Sequence, residues 1–170
     1  MPDSVRRAIG IDPGTALCGY GIVRSEQDEM SLVTYGAVST PANSPLPERL
    51  LKIHAELKAL IRKHRPEAVA VEKLFYGKNA RTALSVGHAR GVAMLAAAEA
   101  NLPIFEYTPN EVKQALVGYG GADTSQMQQM VRTLLHLDHI PKPDDAADAV
   151  AIAMCHLNSA HLKELIEQQS

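Results

Sequence analysis

The sequence predicts an α/β protein in which helices cover both faces of a mixed central sheet. Near the start of the chain, three strand-like segments follow one another through short links, a pattern typical of an antiparallel meander. After about residue 45, helix-like and strand-like segments alternate. The size of 170 residues, with 46% hydrophobic and 21% charged residues, suits a globular domain with a sizeable core. We therefore expect residues 1–170 to form a single domain, with a flexible tail from about residue 159.

The first half of the chain supplies four strands and one helix. The meander is predicted over residues 7–12, 19–27 and 29–40, where apolar segments have strand length. After a loop rich in proline, apolar residues recur at helical spacing from residue 50 to residue 61, and Pro66 ends this helix. The apolar run EAVAVEKLF, residues 67–75, predicts the fourth strand.

The second half is predicted to be mostly helical. A long helix rich in Ala and Leu spans about residues 79–101, and most of one stripe along it is expected to be core. The stripe contains Leu84, His88, Val92, Leu95 and Ala96. The remaining predicted elements are a strand at 102–109 and helices at 109–118, 124–137 and 144–162, with Thr124 as the N-cap of the second of these helices.

Charge is segregated along a chain whose net charge is −2. From Lys58 to Arg90 there are eight Lys or Arg residues and two acids, whereas from Asp138 to Ser170 there are six acids and two Lys. A solvated helix face explains the basic excess up to Arg65. The excess from Lys73 onwards is a candidate surface for nucleic acid, for which a local basic patch is sufficient.

Cellular location is predicted from the cysteines and from hydropathy. Cys18 and Cys155 are far apart and lack metal-ligand spacing, so we expect two packing residues in a reducing cytoplasm. The early arginines are not followed by the apolar segment of a secretory leader, and no apolar run approaches about 20 residues. We therefore expect neither a leader nor a membrane partner.

Acidic residues end two of the predicted strands. Asp12 follows the first apolar run, and Glu72 follows AVAV of the fourth strand. If these strands are neighbours that point the same way, the two carboxylates lie side by side. A lone acid after a strand is more often a simple turn residue, so this pair alone is a modest signal.

A third acidic group opens the last helix. Residues three or four apart share a helix face, so Asp148 can act with Asp145 or with Asp144. Asp144 follows Pro143 and has an alternative role as the N-cap, which favours Asp145 and Asp148 as the facing pair. Clustered carboxylates need protons or cations to offset their repulsion, and such oxygen ligands suit Mg²⁺ or Mn²⁺.

Four segments resemble the blocks of the RuvC family of Holliday-junction resolvases, in the same order, from about Ile9 to His156. They are IGIDPGTALCGYGIV, AVAVEKLFYGKNARTALSVGHARGV, TPNEVKQALVGYGGADTSQMQQMVRTLL and DDAADAVAIAMCH. The resemblance implies an RNase H-like fold and an endonuclease that makes paired nicks in four-way DNA junctions during recombination and repair.

The resemblance also implies a site and its partners. The catalytic acids and metal ligands would be Asp12, Glu72, Asp145 and Asp148, which would hold two divalent ions, with Lys113 as a basic residue for catalysis or DNA binding. The enzyme would act as a homodimer that approaches through the small residues of the 79–101 helix, and it would cooperate with the RuvA–RuvB branch-migration complex.

Candidate DNA contacts follow Glu72 directly. Lys73, Lys78, Asn79 and Arg81 could track the phosphate backbone, and Phe75 and Tyr76 could stack on an unpaired base. The sequence departs from the family in two places, with Thr124 where many relatives carry Lys and His88 where Gln is usual. The first departure leaves Lys113, Arg132 or His136 to contact the scissile phosphate.

Other functions remain as alternatives. One is a catalytically inactive or RNA-processing RNase H-like module, which the presence of all four acids disfavours. Another is an ATP-handling protein of the sugar kinase, actin and Hsp70 class. Such a protein needs two domains around its nucleotide, and this chain is too short to supply them.

Overall fold

The structure, a computed structural model, describes residues 5–73 and 80–170. Within these ranges the chain forms a five-stranded sheet in the order β3-β2-β1-β4-β5. The strands are β1 (Arg6–Asp12), β2 (Leu17–Glu26), β3 (Glu29–Ser39), β4 (Ala68–Glu72) and β5 (Ile104–Tyr107). The helices are α1 (Leu46–His64), α2 (Ala80–Glu99), α3 (Pro109–Val117), α4 (Thr124–Leu134) and α5 (Asp144–Gln168).

The sheet is mixed, as the sequence predicts. Strands β1, β2 and β3 pair antiparallel, and β4 and β5 run parallel to β1. The hairpin between β2 and β3 turns through Gln27 and Asp28, both with positive φ, which matches the right-handed twist of the strands. The parallel connections pass through helices, so the carboxyl ends of β1, β4 and β5 meet at one edge of the sheet.

Each face of the sheet is covered by helices, which confirms the predicted layers. On one face, Ile9, Ile11 and Val71 pack with α1 and α2. On the other face, Ala8, Ala70 and Val23 pack with α3, α4 and α5. Side chains alternate between the faces along each strand. Cys18 and Cys155 are free and buried, one in each of these cores.

Helix α5 lies directly against the sheet because glycines face it. An added Cβ at Gly10 of β1 would meet the backbone of Ala149, and one at Gly19 of β2 would meet the backbone of Asp145. Gly21 meets Val150 in the same way. This helix therefore lies closer to β1 and β2 than a layer of larger side chains would allow, and its first turn reaches the edge where β1 ends.

The structure corrects the sequence predictions for three helices. The N-cap of α4 is Asp123, whose Oδ1 accepts a hydrogen bond of 2.8 Å from the Gln126 N–H in a capping box, so the predicted Thr124 cap is wrong. Helix α5 begins at Asp144 after Pro143, so Asp144 is not its N-cap, and the helix continues past residue 162 to Gln168.

The predicted core stripe of α2 is the third correction. Leu84 and Leu95 are 64% and 54% exposed, and His88 is exposed too. Of the predicted stripe, Ala96 is buried and Val92 is partly buried against the core. The fully buried residues of α2 are all alanines, namely Ala89, Ala93, Ala96 and Ala97. Alanine side chains let α2 pack closely on the sheet and on α1, which leaves the larger apolar residues on the outer surface.

Candidate active site of four carboxylates

The two strand-end acids lie on adjacent strands, as predicted. Strands β1 and β4 are parallel, and Ile11 lies opposite Val71 in their register. Asp12 and Glu72 are the next residues of the two strands. Since side chains alternate, both acids belong to the face that carries Gly10 and Ala70, which is the face covered by α5.

Helix α5 brings two more acids to this edge. Asp12 is paired in register with Gly19, and the space above Gly19 is filled by the backbone of Asp145. Asp148 lies one helical turn further along the same face. The first turn of α5 therefore places Asp145 and Asp148 beside the ends of β1 and β4.

Electrostatic coupling joins the four carboxylates. The pKa of Asp12 is raised to about 8, mainly by burial and then by the negative charges of Asp148, Asp145 and Glu72 and a side-chain hydrogen bond with Asp145. Burial and the charge of Asp145 also raise the pKa of Asp148. The pKa of Glu72 is raised by burial and by Asp148, while the cation of Lys113 acts in the opposite direction.

Asp144 lies outside this group. Its side chain is 66% exposed, and its Oδ1 accepts hydrogen bonds from Gln128 Nε2 at 3.0 Å and from Lys142 Nζ at 3.4 Å. It faces α4 and the preceding loop, and it acts on the pKa of Asp148 only as a nearby charge. This geometry favours Asp145 over Asp144 as the partner of Asp148.

The donor chemistry of the cluster suits a hard divalent cation. Four carboxylates offer oxygen ligands of the kind that Mg²⁺ and Mn²⁺ prefer, and the raised pKa values of Asp12, Glu72 and Asp148 indicate an unmet need for positive charge. Within residues 5–73 and 80–170, the structure contains no group of three or more His, Cys, Asp or Glu side chains that is already arranged to hold a metal ion. The match between this cluster and a divalent cation therefore rests on the type of ligand atoms and on the repulsion between the carboxylates.

A cavity opens beside two of these acids. It has a volume of about 310 Å³ and lies between α3, α4 and α5. Glu72, Asp148, Lys113 and Thr124 are among its lining residues, whereas Arg132 and His136 are not. Arg132 Nε donates instead to the Leu137 carbonyl at 3.3 Å. Of the three residues considered for the scissile phosphate, Lys113 is thus the one that the fold brings to the acids.

Comparison with known proteins identifies the family. The family model described as crossover junction endodeoxyribonuclease RuvC matches residues 8–156.

The chain belongs to the RuvC family.

Similar proteins cover nearly the whole chain. The crossover junction endodeoxyribonuclease RuvC of Chloroflexus aurantiacus is 58% identical over 154 residues, covering 91% of this chain and 94% of that protein. Its counterpart in Chloroflexus aggregans is 56% identical with the same coverage. The structure of Thermus thermophilus RuvC in complex with Holliday junction substrate has a TM-score of 0.89 at 38% identity, covering 93% of this chain and 96% of that one.

These matches confirm the predicted family, its RNase H-like fold and its activity as an endodeoxyribonuclease of crossover junctions. They favour that activity over the inactive or RNA-processing alternative. In the described part of the chain, no helix combines the length and hydrophobicity needed to cross a bilayer.

The predicted DNA contacts are only partly described. Lys73 is exposed directly after Glu72, and its backbone N–H donates to the Tyr107 carbonyl at 2.8 Å. Arg81 is exposed in the first turn of α2. Phe75, Tyr76, Lys78 and Asn79 lie outside the described residues.

Sequence reasoning missed the glycines that position the site. Gly10 and Gly19 determine how closely α5 approaches β1 and β2, and thereby where Asp145 and Asp148 lie. A signal for them exists in the sequence, since glycine inside a strand marks a close backbone approach. Reasoning from sequence also missed the contact between Thr15 Oγ1 and Ser85 Oγ, 2.5 Å apart, which joins the loop after β1 to α2.

Proposed function

We propose that this RuvC-family chain resolves four-way DNA junctions by hydrolysing a phosphodiester bond at the carboxylate cluster, with Asp12, Glu72, Asp145 and Asp148 as the metal ligands. The observation that carries the proposal is the pKa of Asp12, which burial and three neighbouring acids raise to about 8. A structural role for these acids would call for basic partners around Asp12, whereas its neighbours here are acids.

Divalent metal use follows from the family, and we infer Mg²⁺ or Mn²⁺ with two ions in each site. Bound ions would activate the attacking water and stabilise the leaving oxygen of the phosphodiester. The protein's own contribution is to hold four carboxylates at the ends of β1, β4 and α5, where the ions and a DNA phosphate can meet. Burial of this edge lowers the local dielectric and strengthens those interactions.

Lys113 has two roles in the proposal. Burial and the charge of Asp148 raise the pKa of Glu72, and the positive charge of Lys113 opposes this rise, which favours the ionised form that a metal ligand needs. Lys113 also borders the cavity beside Glu72 and Asp148, where its ammonium group is available to a phosphate oxygen. Thr124 lines the same cavity and supplies a hydroxyl but no charge, so Lys113 carries the cationic role in this chain.

Junction DNA would run over the surface next to Glu72. We infer that Lys73 and Arg81, with Lys78 and Asn79, contact the phosphate backbone, and that Phe75 and Tyr76 stack on unpaired bases. The exposure of Lys73 and of Arg81 at the start of α2 supports the backbone contacts. Contacts of this kind determine affinity and orientation and carry little sequence information.

A homodimer is the assembly that the proposal requires, since each subunit would cut one strand. Exposed Leu84 and Leu95 on the outer face of α2 support it, together with Gly87 and Gly91, above which an added Cβ would meet nothing within 4 Å. A two-fold dimer suits a junction with pseudo-two-fold symmetry. A reducing cytoplasm and cooperation with the RuvA–RuvB complex complete the proposal, the former supported by two free cysteines.

Cleavage of matched DNA substrates by single variants tests this function. The wild type is expected to nick a four-way junction in Mg²⁺, to leave a linear duplex of the same arms uncut, and to stop in EDTA. Asp12→Asn, Glu72→Gln, Asp145→Asn and Asp148→Asn should each bind the junction normally and cut it at least roughly 100-fold more slowly, since even groups that only support a metal ligand contribute about 10–100-fold.

Asp144→Asn is the matched control, because Asp144 is an acid of the same helix turn that faces away from the cluster. It should retain cutting close to that of the wild type. Full activity in any of the four variants would remove that residue from the proposed metal site. An equal loss in Asp144→Asn would remove the distinction between Asp144 and the four acids. Equal cutting of linear duplex would contradict junction specificity.

A further inference from the structure

A network of polar side chains lies at the carboxylate edge of the sheet, on the side that α1 and α2 cover. This Thr15 network consists of Arg49 in α1, Thr40 after β3, Thr15 after β1 and Ser85 in α2. Thr15 and Thr40 are 7% and 6% exposed, so their hydroxyls are buried. A buried hydroxyl is costly unless it is hydrogen-bonded, and a valine would fill nearly the same space without that cost.

The hydrogen bonds of the network form an unbroken path from α1 to α2. Arg49 Nε donates to Thr40 Oγ1 at 2.8 Å. Because a guanidinium can only donate, the Thr40 hydroxyl accepts this bond, and its own proton goes to the carbonyl of Thr15. Thr15 Oγ1 and Ser85 Oγ lie 2.5 Å apart, so one of these hydroxyls donates to the other. The path therefore joins the two helices through the loop that follows β1.

This loop is held by the network at two consecutive residues. It comprises residues 13–16 and connects Asp12 to β2. The Thr40 hydroxyl donates to the carbonyl of Thr15, and the Thr40 backbone N–H donates to the carbonyl of Ala16 at 3.0 Å. The side chain of Thr15 is in turn bonded to α2. The loop is thus fixed relative to both β3 and α2.

Asp12 benefits from a fixed loop because its strand pairing is one-sided. The pairing of β1 with β4 ends at Ile11, whereas the pairing of β1 with β2 continues to Asp12. The charges of three other acids act on the Asp12 side chain at this point, where a single neighbouring strand holds its backbone. The loop after Asp12 therefore supplies a further restraint against that repulsion.

The network also connects the segments that follow the two strand-end acids. Helix α2 is the next described element after β4, which ends at Glu72, and Ser85 lies in the second turn of α2. The bond between Thr15 and Ser85 consequently joins the loop after Asp12 to the helix after Glu72. A functional site needs its groups held to within roughly 0.5 Å, and a cross-link of this kind contributes to that precision.

We propose that Thr15 and Ser85 are positioning residues of the nuclease, whose hydrogen bond holds the loop after β1 so that Asp12 can share a cation with the other acids. Thr40 and Arg49 support that bond from the side of α1. This role rests on the proposed function of the carboxylate cluster, and it adds two residues that act through Asp12 rather than on the DNA.

Two substitutions remove the bond from opposite sides. Thr15→Val keeps the shape of the side chain and loses the hydroxyl, and Ser85→Ala loses the other hydroxyl at a helix position that alanine favours. Thr15→Ser keeps the hydroxyl and is the rescue variant. Thr133→Val is the matched control, because the Thr133 hydroxyl donates to the Gln129 carbonyl at 2.9 Å and its loss affects only α4.

Hydrogen exchange measures the restraint without any cutting. The proteins are compared in EDTA, and exchange of the backbone amides in residues 13–19 is followed by mass spectrometry. Thr15→Val and Ser85→Ala are expected to exchange several-fold faster in this segment than the wild type, because the loop is released from α2. Thr15→Ser and Thr133→Val should exchange as the wild type does. Unchanged exchange in both Thr15→Val and Ser85→Ala would overturn the proposal.

Single-turnover cutting of a four-way junction by saturating enzyme measures the consequence for the reaction. Thr15→Val and Ser85→Ala should cut at least about 10-fold more slowly, the lower figure for removing a group that supports a metal ligand. They should also need more Mg²⁺ for half-maximal cutting, while their affinity for the junction in EDTA stays that of the wild type. Thr15→Ser should cut nearly as fast as the wild type.

The double variant Thr15→Val/Ser85→Ala separates positioning from simple burial. If the two hydroxyls only satisfied each other, replacing both with apolar groups would be nearly neutral and cutting would recover. A positioning role predicts the loss of either single variant, neither recovered nor multiplied, because both substitutions break the same bond.

Two further results would contradict the role of Thr15 and Ser85. Cutting at the wild-type rate by folded Thr15→Val and Ser85→Ala overturns it, and so does a loss that comes entirely from weaker junction binding. In both cases the wild type still cuts, so the proposed function stands. If the wild type cuts no junction in Mg²⁺, the proposed function fails and the positioning role fails with it.

Discussion

Asp12 ends a buried strand, and its nearest charged neighbours are three other carboxylates. An isolated ionised acid in such a place is costly, and here the cost is increased by repulsion. The native protein therefore favours a proton on Asp12 until a cation replaces it. The metal-free protein is therefore expected to be sensitive to pH. The same repulsion gives a physical reason for a cation to bind at this residue.

The effect of Asp12 on stability can be predicted with its sign. Its pKa is about 8 in the folded protein, against a usual value of 3.8, so between these limits the native state binds more protons than the unfolded chain. Stability is highest below pH 4 for this group and is lost as pH rises through 8. In EDTA, Asp12→Asn should raise the melting temperature at pH 8 by at least roughly 2–4 °C, which is the shift expected for about 1 kcal/mol.

At pH 5 the gain from Asp12→Asn should be clearly smaller, because wild-type Asp12 is then mostly protonated. The control is Asp138→Asn, which removes an exposed acid that is not part of the cluster and should leave the difference between the two pH values unchanged. Adding Mg²⁺ at pH 8 should stabilise the wild type more than Asp12→Asn, because an ion that binds only the native state stabilises it. A pH-independent gain would contradict the shared burial of these acids.

The positions of the acids at strand ends and in the last helix, together with the family resemblance, carried most of the site prediction. Asp12 and Glu72 could be paired from sequence because each ends an apolar run and parallel strands end at one edge. The sequence favoured Asp145 over Asp144 through an N-cap role for Asp144 that the structure contradicts. The geometric reason for the choice is the rotation of α5, which the glycines of β1 and β2 determine. The cavity could not be predicted, since its walls come from three helices whose relative placement has no local sequence signal.

Helix α5 shows how an element transmits strand geometry to the site. It crosses β1 and β2 in direct backbone contact, and the same contact determines where its first turn lies. A side chain added beneath it cannot be absorbed by a rotamer change, because the atoms it would meet are backbone. Any displacement of α5 moves Asp145 and Asp148 away from Asp12 and Glu72.

Gly10→Ala tests this dependence. The new Cβ would overlap the backbone of Ala149, and overpacking of this kind costs about 1–3 kcal/mol or more. We expect a lower melting temperature and a loss of junction cutting that persists well below that temperature, because the helix carrying two of the acids is displaced. Differential scanning calorimetry and a cleavage assay measure the two effects.

The matched control is Gly120→Ala, where the nearest atoms to an added Cβ lie 3.5 Å away in ordinary contact. Its stability and cutting should stay near those of the wild type. Normal cutting by folded Gly10→Ala would mean that the position of α5 tolerates displacement, and that the glycines do not set the geometry of the site.

Elements were predicted well where their periodicity is strong and poorly where it is weak. Helix α1 repeats its apolar residues at helical spacing, and its buried residues Ile53, Leu57 and Ile61 are among those expected. Helix α2 has apolar residues around much of its circumference, so helical spacing did not distinguish the predicted stripe through Leu84 and Leu95 from the face that is buried. Tertiary packing favoured the alanines instead, since only a small side chain allows the close approach found there.

At the scale of the whole molecule, the outer face of α2 and the carboxylate edge are structurally linked. Helix α2 starts from the segment that follows Glu72, so an assembly through α2 fixes the distance and orientation between two carboxylate clusters. In an isologous two-fold pair, each residue of the interface meets its own symmetry-related surface. Two cutting sites related by such a two-fold axis would match the two strands that lie opposite each other in a four-way junction.

The proposed dimer makes Leu95 a sensitive position. Leu95 is 54% exposed on α2 near Gly91, and a charge placed there would be repeated across the two-fold axis. We expect Leu95→Glu to be a folded monomer at a concentration at which the wild type sediments as a dimer, because each glutamate would be buried near its like-charged copy.

Leu51→Glu is the matched control, since Leu51 is 66% exposed on α1 and the variant makes the same change on a different helix. Analytical ultracentrifugation should find that the Leu51→Glu control is a dimer. In a cleavage assay on a cruciform plasmid, this control should make paired cuts, whereas Leu95→Glu should make single nicks at most. A Leu95→Glu protein that remains dimeric and makes paired cuts would place the subunit interface elsewhere, and with it the spacing of the two carboxylate clusters on the DNA.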